Sequence, residues 1–559
     1  MSEDKTQYGA TGESRPGMMR DMGRMARVVK TLVSVGDFSD RIVQSAAGIL
    51  ARHIQQRCPA AVVTAGESPA TVELAVRPGV GAEGFTIADG PQGTVHIVGN
   101  DPRGVLYGVG KFLRSSRYDR GGFTPGTWRG VCVPRCPIRG IYLSTHFGNF
   151  YESASRQEVE RYIEDLSLWG TNFVLLHFPH WQYASYDDPA ARKMIEHLRW
   201  MMQAAKRVGM KVCISESINE GFTATPKEFL STPVPDPLVR HGNFGVNLCP
   251  SKPAARELLL KTWDRLLDEF ADPGVDFAAW GPYDEGGCGC KDCWPWGARG
   301  YVSLSRDITA LLRKKCPHIK IIVSTWTFDT PPAGEWEGLS EALAEDNSWA
   351  DYIMADAHED FPRYPLEKGV PGGLPLLNFP EISMWGQNPW GGYGANPLPA
   401  RFQRLWNQTQ QKLSGGTPYS EGIYEDIGKA ICSQFYWDPN RSAMDTVKEY
   451  AAFEYSPDVA DDVAGVVEIL EKNHKRDQIG PSAQEAFARV ERIETKLTAQ
   501  ARTAWRWRIF YLRALIDREM WKTRGKLEGE TLKEAFAELT AIYHAENTHS
   551  MPVRPPQVQ

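Results

Sequence analysis

No stretch of this 559-residue chain approaches the roughly 20 consecutive apolar residues that a membrane-spanning helix needs, so no membrane is expected as a partner. A basic excess is also missing. The 63 Lys and Arg stand against 69 Asp and Glu, a formal charge of −6. Nothing here draws a polyanion, which excludes nucleic acid. Cysteine is sparse, ten in the whole chain, too few for a disulfide scaffold. The opening Met1-Ser-Glu-Asp-Lys-Thr-Gln-Tyr-Gly-Ala10 is polar and no apolar signal core follows it, so a cytoplasmic protein is expected. No Gly-x-Gly-x-x-Gly turn follows the strand-like run at 138–143, which counts against an open dinucleotide-binding sheet. Against these absences, 18 Trp stand out, several in loop-like segments where packing explains them less well.

The length exceeds one ordinary core and implies two or three domains. Residues 1–26 are rich in Gly, Met and Arg without periodicity and read as a flexible tail. Residues 27–135 read as a small α+β domain. In it Ile42, Ala46, Leu50 and Ile54 mark one face of a helix, and short strands follow at 60–64, 71–76, 85–88 and 94–98. Asp89-Gly90 turns the last two into a hairpin, and Asp101-Pro102 caps a helix running to about Arg114.

From Pro137 apolar runs alternate with helical stretches. Eight strands are expected, at 138–143, 172–177, 211–215, 276–280, 320–325, 352–355, 376–379 and 417–423. Eight strand–helix units across 136–436 predict a (β/α)8 TIM barrel. Residues 437–559 carry helical patterns only, so the Trp505 and Trp507 segment is read as packing.

The active site of such a barrel lies at the carboxyl ends of its strands. Read in order, those ends supply His146, then His177 and His180, then Glu216 and Glu220. The fourth strand gives adjacent Asp284 and Glu285, in the loop Trp280-Gly-Pro-Tyr-Asp-Glu-Gly-Gly-Cys-Gly-Cys-Lys-Asp-Cys293. Later ends add Trp326, then Asp356 with His358, then Glu381 with Trp385, then Tyr419, Glu421 and Glu425. A ring of carboxylates and indoles suits sugar chemistry. One carboxylic acid protonates the leaving oxygen, a second group stabilises or attacks the sugar cation, and flat rings stack on the pyranose. An isolated acid is better read as a salt bridge or cap. Two adjacent acids in one crowded site push their pKa values apart and point to function.

Cys288, Cys290 and Cys293 follow at C-x-C-x-x-C spacing, and Cys249 is the best fourth ligand. Four thiolates would make a closed, structural zinc site pinning the loop of Asp284 and Glu285; reduced, unliganded thiols are the other reading. No other cofactor is needed for catalysis.

Several segments resemble known glycoside hydrolases. Glu83-Gly-Phe-Thr-Ile87, Val95-His-Ile-Val-Gly-Asn100 and Gly104-Val-Leu-Tyr-Gly108 resemble the small domain that precedes the barrel in family 20 hexosaminidases and family 67 α-glucuronidases. Pro137-Ile-Arg-Gly140, Asn172-Phe-Val-Leu-Leu-His177 and Asp284-Glu285 are similar to family 20 strands. That resemblance implies Glu285 as general acid/base, Asp284 orienting a substrate 2-acetamido group, and Arg139 holding sugar hydroxyls. Gln434-Phe-Tyr-Trp-Asp-Pro439 and Thr446-Val-Lys-Glu-Tyr450 resemble α-glucuronidases and family 163 endo-N-acetylglucosaminidases. This second likeness implies an inverting set of Glu285, Asp356 and Glu381. The chain departs from family 20 at Ser144, where that family has an aspartate, and at Glu216 and Glu220 on the third strand.

The expected function is therefore a glycosidase of β-N-acetylhexosaminidase type, exo-acting on a small carbohydrate. His146, His177, Glu216, Trp326, His358, Trp385, Tyr419 and Glu421 are candidate substrate ligands beside Arg139. An inverting α-glucuronidase-like enzyme is the alternative. Two further readings are a metal-dependent barrel hydrolase or isomerase using His177, Asp356 and His358, and a carbohydrate-binding protein without catalysis.

Overall fold

A computed structural model describes residues 30–35, 40–58, 62–65, 72–119, 122–147, 149–235, 245–283, 286–330, 333–357, 360–382, 397–543 and 558–559. The tail expected at 1–26 lies outside them.

The small domain is a mixed sheet of β1 (Lys30–Val35), β2 (Val62–Ala65), β3 (Val72–Val76), β4 (Phe85–Asp89) and β5 (Val95–Gly99). A separate hairpin, β6 (Arg117–Asp119) with β7 (Gly122–Thr124), precedes β8 (Gly130–Cys132). The sheet order is β2-β1-β3-β5-β4-β8. The expected hairpin forms, with β4 antiparallel to β5. The expected cap at Asp101 forms, and Asp40 supplies a second that was not expected. Asp40 Oδ1 accepts from the Ile42 N–H at 2.7 Å, and Asp101 Oδ1 accepts from the Gly104 N–H at 3.0 Å. The two capped helices, Arg41–Arg57 and Pro102–Ser115, are thereby relieved of orphan N–H groups. β1 was not among the expected strands. It pairs parallel with both β2 and β3, so it sits inside the sheet.

Eight parallel strands then close on themselves. They are β9 (Ile138–Leu143), β10 (Phe173–His177), β11 (Lys211–Ser217), β12 (Phe277–Gly281), β13 (Lys320–Ser324), β14 (Tyr352–Asp356), β15 (Leu376–Phe379) and β16 (Leu413–Gly416). Each pairs with the next, and β16 returns to β9. Ile138, Phe173, Leu175, Cys213, Phe277, Ile322, Met354 and Leu377 fill the interior, which is a packed core rather than a pore.

The eighth strand differs from expectation. It begins earlier, at Leu413, and continues as the two-residue β17 (Tyr419–Ser420), also on β9. Two features explain the break. Gly415 adopts φ +133°, and a Cβ there would lie 1.7 Å from the Ile138 carbonyl oxygen, so only glycine fits. Pro418 has no N–H for the ladder.

Beyond the barrel run the helices Ala443–Glu454, Ala460–Lys472, Ser482–Lys496, Trp505–Lys522 and Glu530–Tyr543. Trp507 is fully buried among them, as a packing residue should be. Among the described residues no helix is long and apolar enough to cross a membrane.

Candidate active site

Asp284, Glu285, His358 and Trp385 lie outside the described residues. The chain on either side of the acidic pair is held firmly. Before it, the Trp296 indole N–H donates to the Pro282 carbonyl at 2.5 Å, and the buried Tyr283 hydroxyl donates to Glu335. Glu335, itself fully buried, also accepts from the Gly297 N–H at 2.8 Å. After it, Gly287 exchanges two hydrogen bonds with the side chain of Asn219, its N–H donating at 2.8 Å and its carbonyl accepting at 3.0 Å. The described chain thus enters and leaves the pair at the carboxyl end of β12 from fixed points.

Next to it, at the ends of β10 and β11, five predicted side chains come together. The His146 and His177 rings meet edge to face at 4.7 Å. His177 Nδ1 lies 2.9 Å from the Ser215 carbonyl. Glu216 accepts from the Phe178 N–H at 3.2 Å and pairs with His180 Nδ1 at 3.0 Å. Glu220 accepts from the Trp181 N–H at 2.9 Å. Burial governs the protonation of this group. It drives His177 and His180 each down to about 3, and pulls His146 well below the usual histidine range. Burial likewise lifts Glu216 well above the usual carboxylate range.

A second group gathers at β15, β17 and β9. The Tyr142, Phe379 and Tyr419 rings touch one another, with Tyr142 and Tyr419 edge to face at 5.1 Å. The Tyr419 hydroxyl lies 3.1 Å from Ser144 Oγ and donates to Glu421 Oε1 at 3.1 Å. Burial, with the charges of Glu381 and Glu425 beside it, pushes the Glu421 carboxyl well above its ordinary range. That shift favours the protonated form, which is able to give up a proton. Behind it Glu425 is lifted by burial to about 7, and Lys429 is lowered by burial to about 8. Asp356 ends β14, and Trp326 follows β13, its N–H donating to Ser324 Oγ at 3.2 Å.

Arg139 requires a correction. It is the second residue of β9, at the opposite end of the barrel from the acids, and it is fully buried. Its guanidinium pairs with Glu83 of the small domain at 2.5 Å and donates to the Gly170 and Cys136 carbonyls at 2.7 and 2.9 Å. Sandwiched between the Tyr107 and Trp437 rings, it ties the small domain to the barrel, away from the strand ends where the acids lie. The strand-end reading also passed over Tyr142, Asp329 and Lys429. Tyr142 was legible, since Ile138, Gly140 and Tyr142 alternate onto one face. Lys429 follows Glu425 by four residues on one helix face, a spacing the sequence does carry. Asp329 carried no such signal. Among the described residues it meets the Trp336 indole, which donates to it at 3.2 Å, and the charge of Asp356.

The cysteines assemble as expected. One sulfur from each of Cys249, Cys288, Cys290 and Cys293 lies within 4.8 Å of the other three. Cys249 and Cys290 sulfurs are 3.7 Å apart. Ligands tetrahedral about zinc at ~2.3 Å stand about 3.8 Å apart, so this buried cluster can hold a metal ion. The loop is shaped to allow it. A Cβ on Gly289 would meet the Pro233 carbonyl at 2.2 Å, so only glycine lets the chain pass.

No family model matches this chain, and no curated protein resembles it in sequence. Its fold, in contrast, has solved relatives. It is similar to a family 115 4-O-methyl-α-glucuronidase with specificity for decorated arabinogalactans, at TM-score 0.61 and 12% identity over 95% of this chain and 78% of that one. It is similar to a family 138 enzyme targeting pectin rhamnogalacturonan II, at TM-score 0.57 and 10% identity over 93% and 94% of the two chains. The family 20 β-N-acetylhexosaminidase of Streptomyces coelicolor A3(2) matches at TM-score 0.52 and 15% identity over 78% and 92%. At these identities the likeness is one of fold, and the fold is one that glycoside hydrolases use.

Proposed function

We propose that the protein is a glycosidase that removes a terminal sugar from small glycosides, with β-N-acetylhexosaminides the first class to test. Glu285 gives its proton to the glycosidic oxygen as the bond to the anomeric carbon breaks. Asp284 accepts a hydrogen bond from the substrate's 2-acetamido N–H, turning that group's carbonyl oxygen onto the anomeric carbon. Water then enters, handing a proton back to Glu285. The observation that carries this reading is the clamping of both flanks of the acidic pair at the carboxyl end of β12, by Trp296 and Glu335 before it and Asn219 after it. The four thiolates then anchor the far side of the same loop; bound zinc would supply a rigid cross-link there, not a reactant.

A second reading rests on Glu421. Pushed toward its protonated form by burial and by the charge of Glu381, it is also fit to be a proton donor, with Glu381 as base for water in an inverting reaction on an acidic sugar.

One experiment separates them. Aryl glycosides of N-acetylglucosamine, N-acetylgalactosamine, glucuronic acid, glucose and galactose, in both anomers, are offered to wild type, Glu285→Gln and Glu421→Gln. The first reading expects one substrate to be cleaved with retained configuration, and a 10²–10⁴-fold loss of kcat/KM in Glu285→Gln, on the order of general-acid catalysis. Inverted product, with activity surviving in Glu285→Gln and lost in Glu421→Gln, would replace it with the second. Cleavage surviving in both variants would sink both.

A further inference from the structure

The glycosidase chemistry leaves unused a buried group at the seam between β10 and β11. His177 closes β10 and is only 4% exposed. Its Nδ1 faces the Ser215 carbonyl at 2.9 Å. A carbonyl can only accept, so Nδ1 carries the ring hydrogen and donates it. In a neutral imidazole Nε2 then bears a lone pair and no hydrogen. That Nε2 is buried and, among the described residues, has no hydrogen-bond partner. What stands across from it, at 4.0 Å, is a carboxylate oxygen, Glu220 Oε2. Two electron-rich atoms thus face each other, too far apart for a hydrogen bond.

A metal ion resolves that opposition. Metal–nitrogen and metal–oxygen bonds of about 2.0–2.2 Å let two ligands of one ion stand up to about 4.2 Å apart. The glutamates are built as ligands. Glu216 and Glu220 each fix their Oε1 atoms on a backbone N–H, of Phe178 and Trp181 at 3.2 and 2.9 Å. One donor atom from each of His177, Glu216 and Glu220 lies within 4.8 Å of the other two. An Nδ1–H donated to a backbone carbonyl is the outer contact that metal-ligating histidines use to fix their tautomer. His180, 3.0 Å from Glu216 Oε2, orients that carboxylate in the same way.

We propose that His177 Nε2, Glu220 and Glu216 form a binding site for one divalent cation at the carboxyl ends of β10 and β11. Two carboxylates balance the ion's charge, and the mixed nitrogen and oxygen donors suit manganese or zinc rather than a soft ion. The thiolates of Cys249, Cys288, Cys290 and Cys293 form a second, chemically different site, so the protein sorts ions by ligand softness. This differs from the metal set expected from sequence, because His177 is joined by the glutamates of β11 rather than by Asp356 and His358. It does not depend on Glu285 being the acid.

The test is Mn²⁺ added to the full-length protein, with unbound Mn²⁺ read from the electron paramagnetic resonance signal of the free aqua ion. Mn²⁺ is the probe because thiolates are poor ligands for it. The expected result is one Mn²⁺ taken up per chain by wild type, and affinity weakened about tenfold or more in both His177→Gln and Glu220→Gln. No uptake by wild type at millimolar Mn²⁺ overturns the proposal without any variant. Uptake unchanged in either variant, with folding verified by circular dichroism, overturns it as well. The readout is binding, so it stands or falls separately from glycosidase activity.

Discussion

Asn219 uses both ends of its buried amide on other segments. Its Nδ2 donates to the Leu248 and Gly287 carbonyls at 2.8 and 3.0 Å, and its Oδ1 accepts from the Gly287 N–H at 2.8 Å. One side chain thus joins the end of β11, the approach to Cys249 and the exit from the acidic pair. Truncation to alanine strands a buried N–H and two carbonyls, at about 1–3 kcal/mol for each group left unsatisfied. Asn219→Ala should therefore lose about 3 kcal/mol in urea denaturation and lower kcat more than it changes KM, because the loop rather than the sugar is released. A stability loss with kcat intact would show that the clamp does not set the position of the acids. Asn219 was not legible beforehand. Its sequence neighbour Glu220 advertises chemistry, whereas an amide's work depends on which distant backbone groups the fold brings to it.

At the scale of elements, the helix Asp426–Trp437 carries the clearest titration. Glu425, at its N-cap, faces Lys429 one turn on at 3.9 Å, with both side chains buried. Burial lifts Glu425 from 4.5 to about 7. Between those values the folded chain keeps a proton that the unfolded chain has released. Stability from this group is full below about pH 4.5 and is lost as pH rises through about 7. The stability of wild type minus that of Glu425→Gln should fall by about 3 kcal/mol across that window, measured by urea titration at successive pH values. A flat difference would mean that Glu425 is ionised throughout. The loop of cysteines makes a different prediction. Zinc retained by purified protein should be released together with a fall in Tm on chelation, and Cys288→Ser should show the same lower Tm with no response to chelator. Zinc-free protein with an unchanged Tm would leave reduced thiols as the right description. Elements such as these were largely visible in sequence, because caps, hairpin turns and apolar runs are local signals. β1 and the broken eighth strand were not. Lys30–Val35 is a short run that mixes three apolar residues with Lys, Thr and Ser and gains its place from parallel neighbours farther along the chain, and β16 is half glycine.

For the whole molecule, the way the small domain meets the barrel decides how one misread residue should behave. Arg139 looked like a sugar ligand because the Arg-Gly opening of a first strand resembles a hexosaminidase, and resemblance carries residue type without carrying depth along the strand. In place, Arg139 lies at the amino end of β9, where its guanidinium, the Glu83 carboxylate and the Gly170 and Cys136 carbonyls close a buried interface. Glu83 also pairs with Arg103 at 2.6 Å and accepts from Asn172 Nδ2 at 3.0 Å, so removing Arg139 leaves that acid with one partly exposed cation and a neutral amide. Breaking a buried pair from one side costs about 3–5 kcal/mol, since the remaining charge stays out of water. Arg139→Met should therefore lower Tm sharply and loosen the cooperativity between small domain and barrel, so that scanning calorimetry resolves two transitions where wild type has one. The KM for whichever glycoside is cleaved should stay within about twofold wherever the variant is folded, because no guanidinium contact with sugar has been lost. The opposite pattern, an unchanged Tm with a steeply raised KM, is what a sugar-holding arginine would give, and it would return Arg139 to the substrate site.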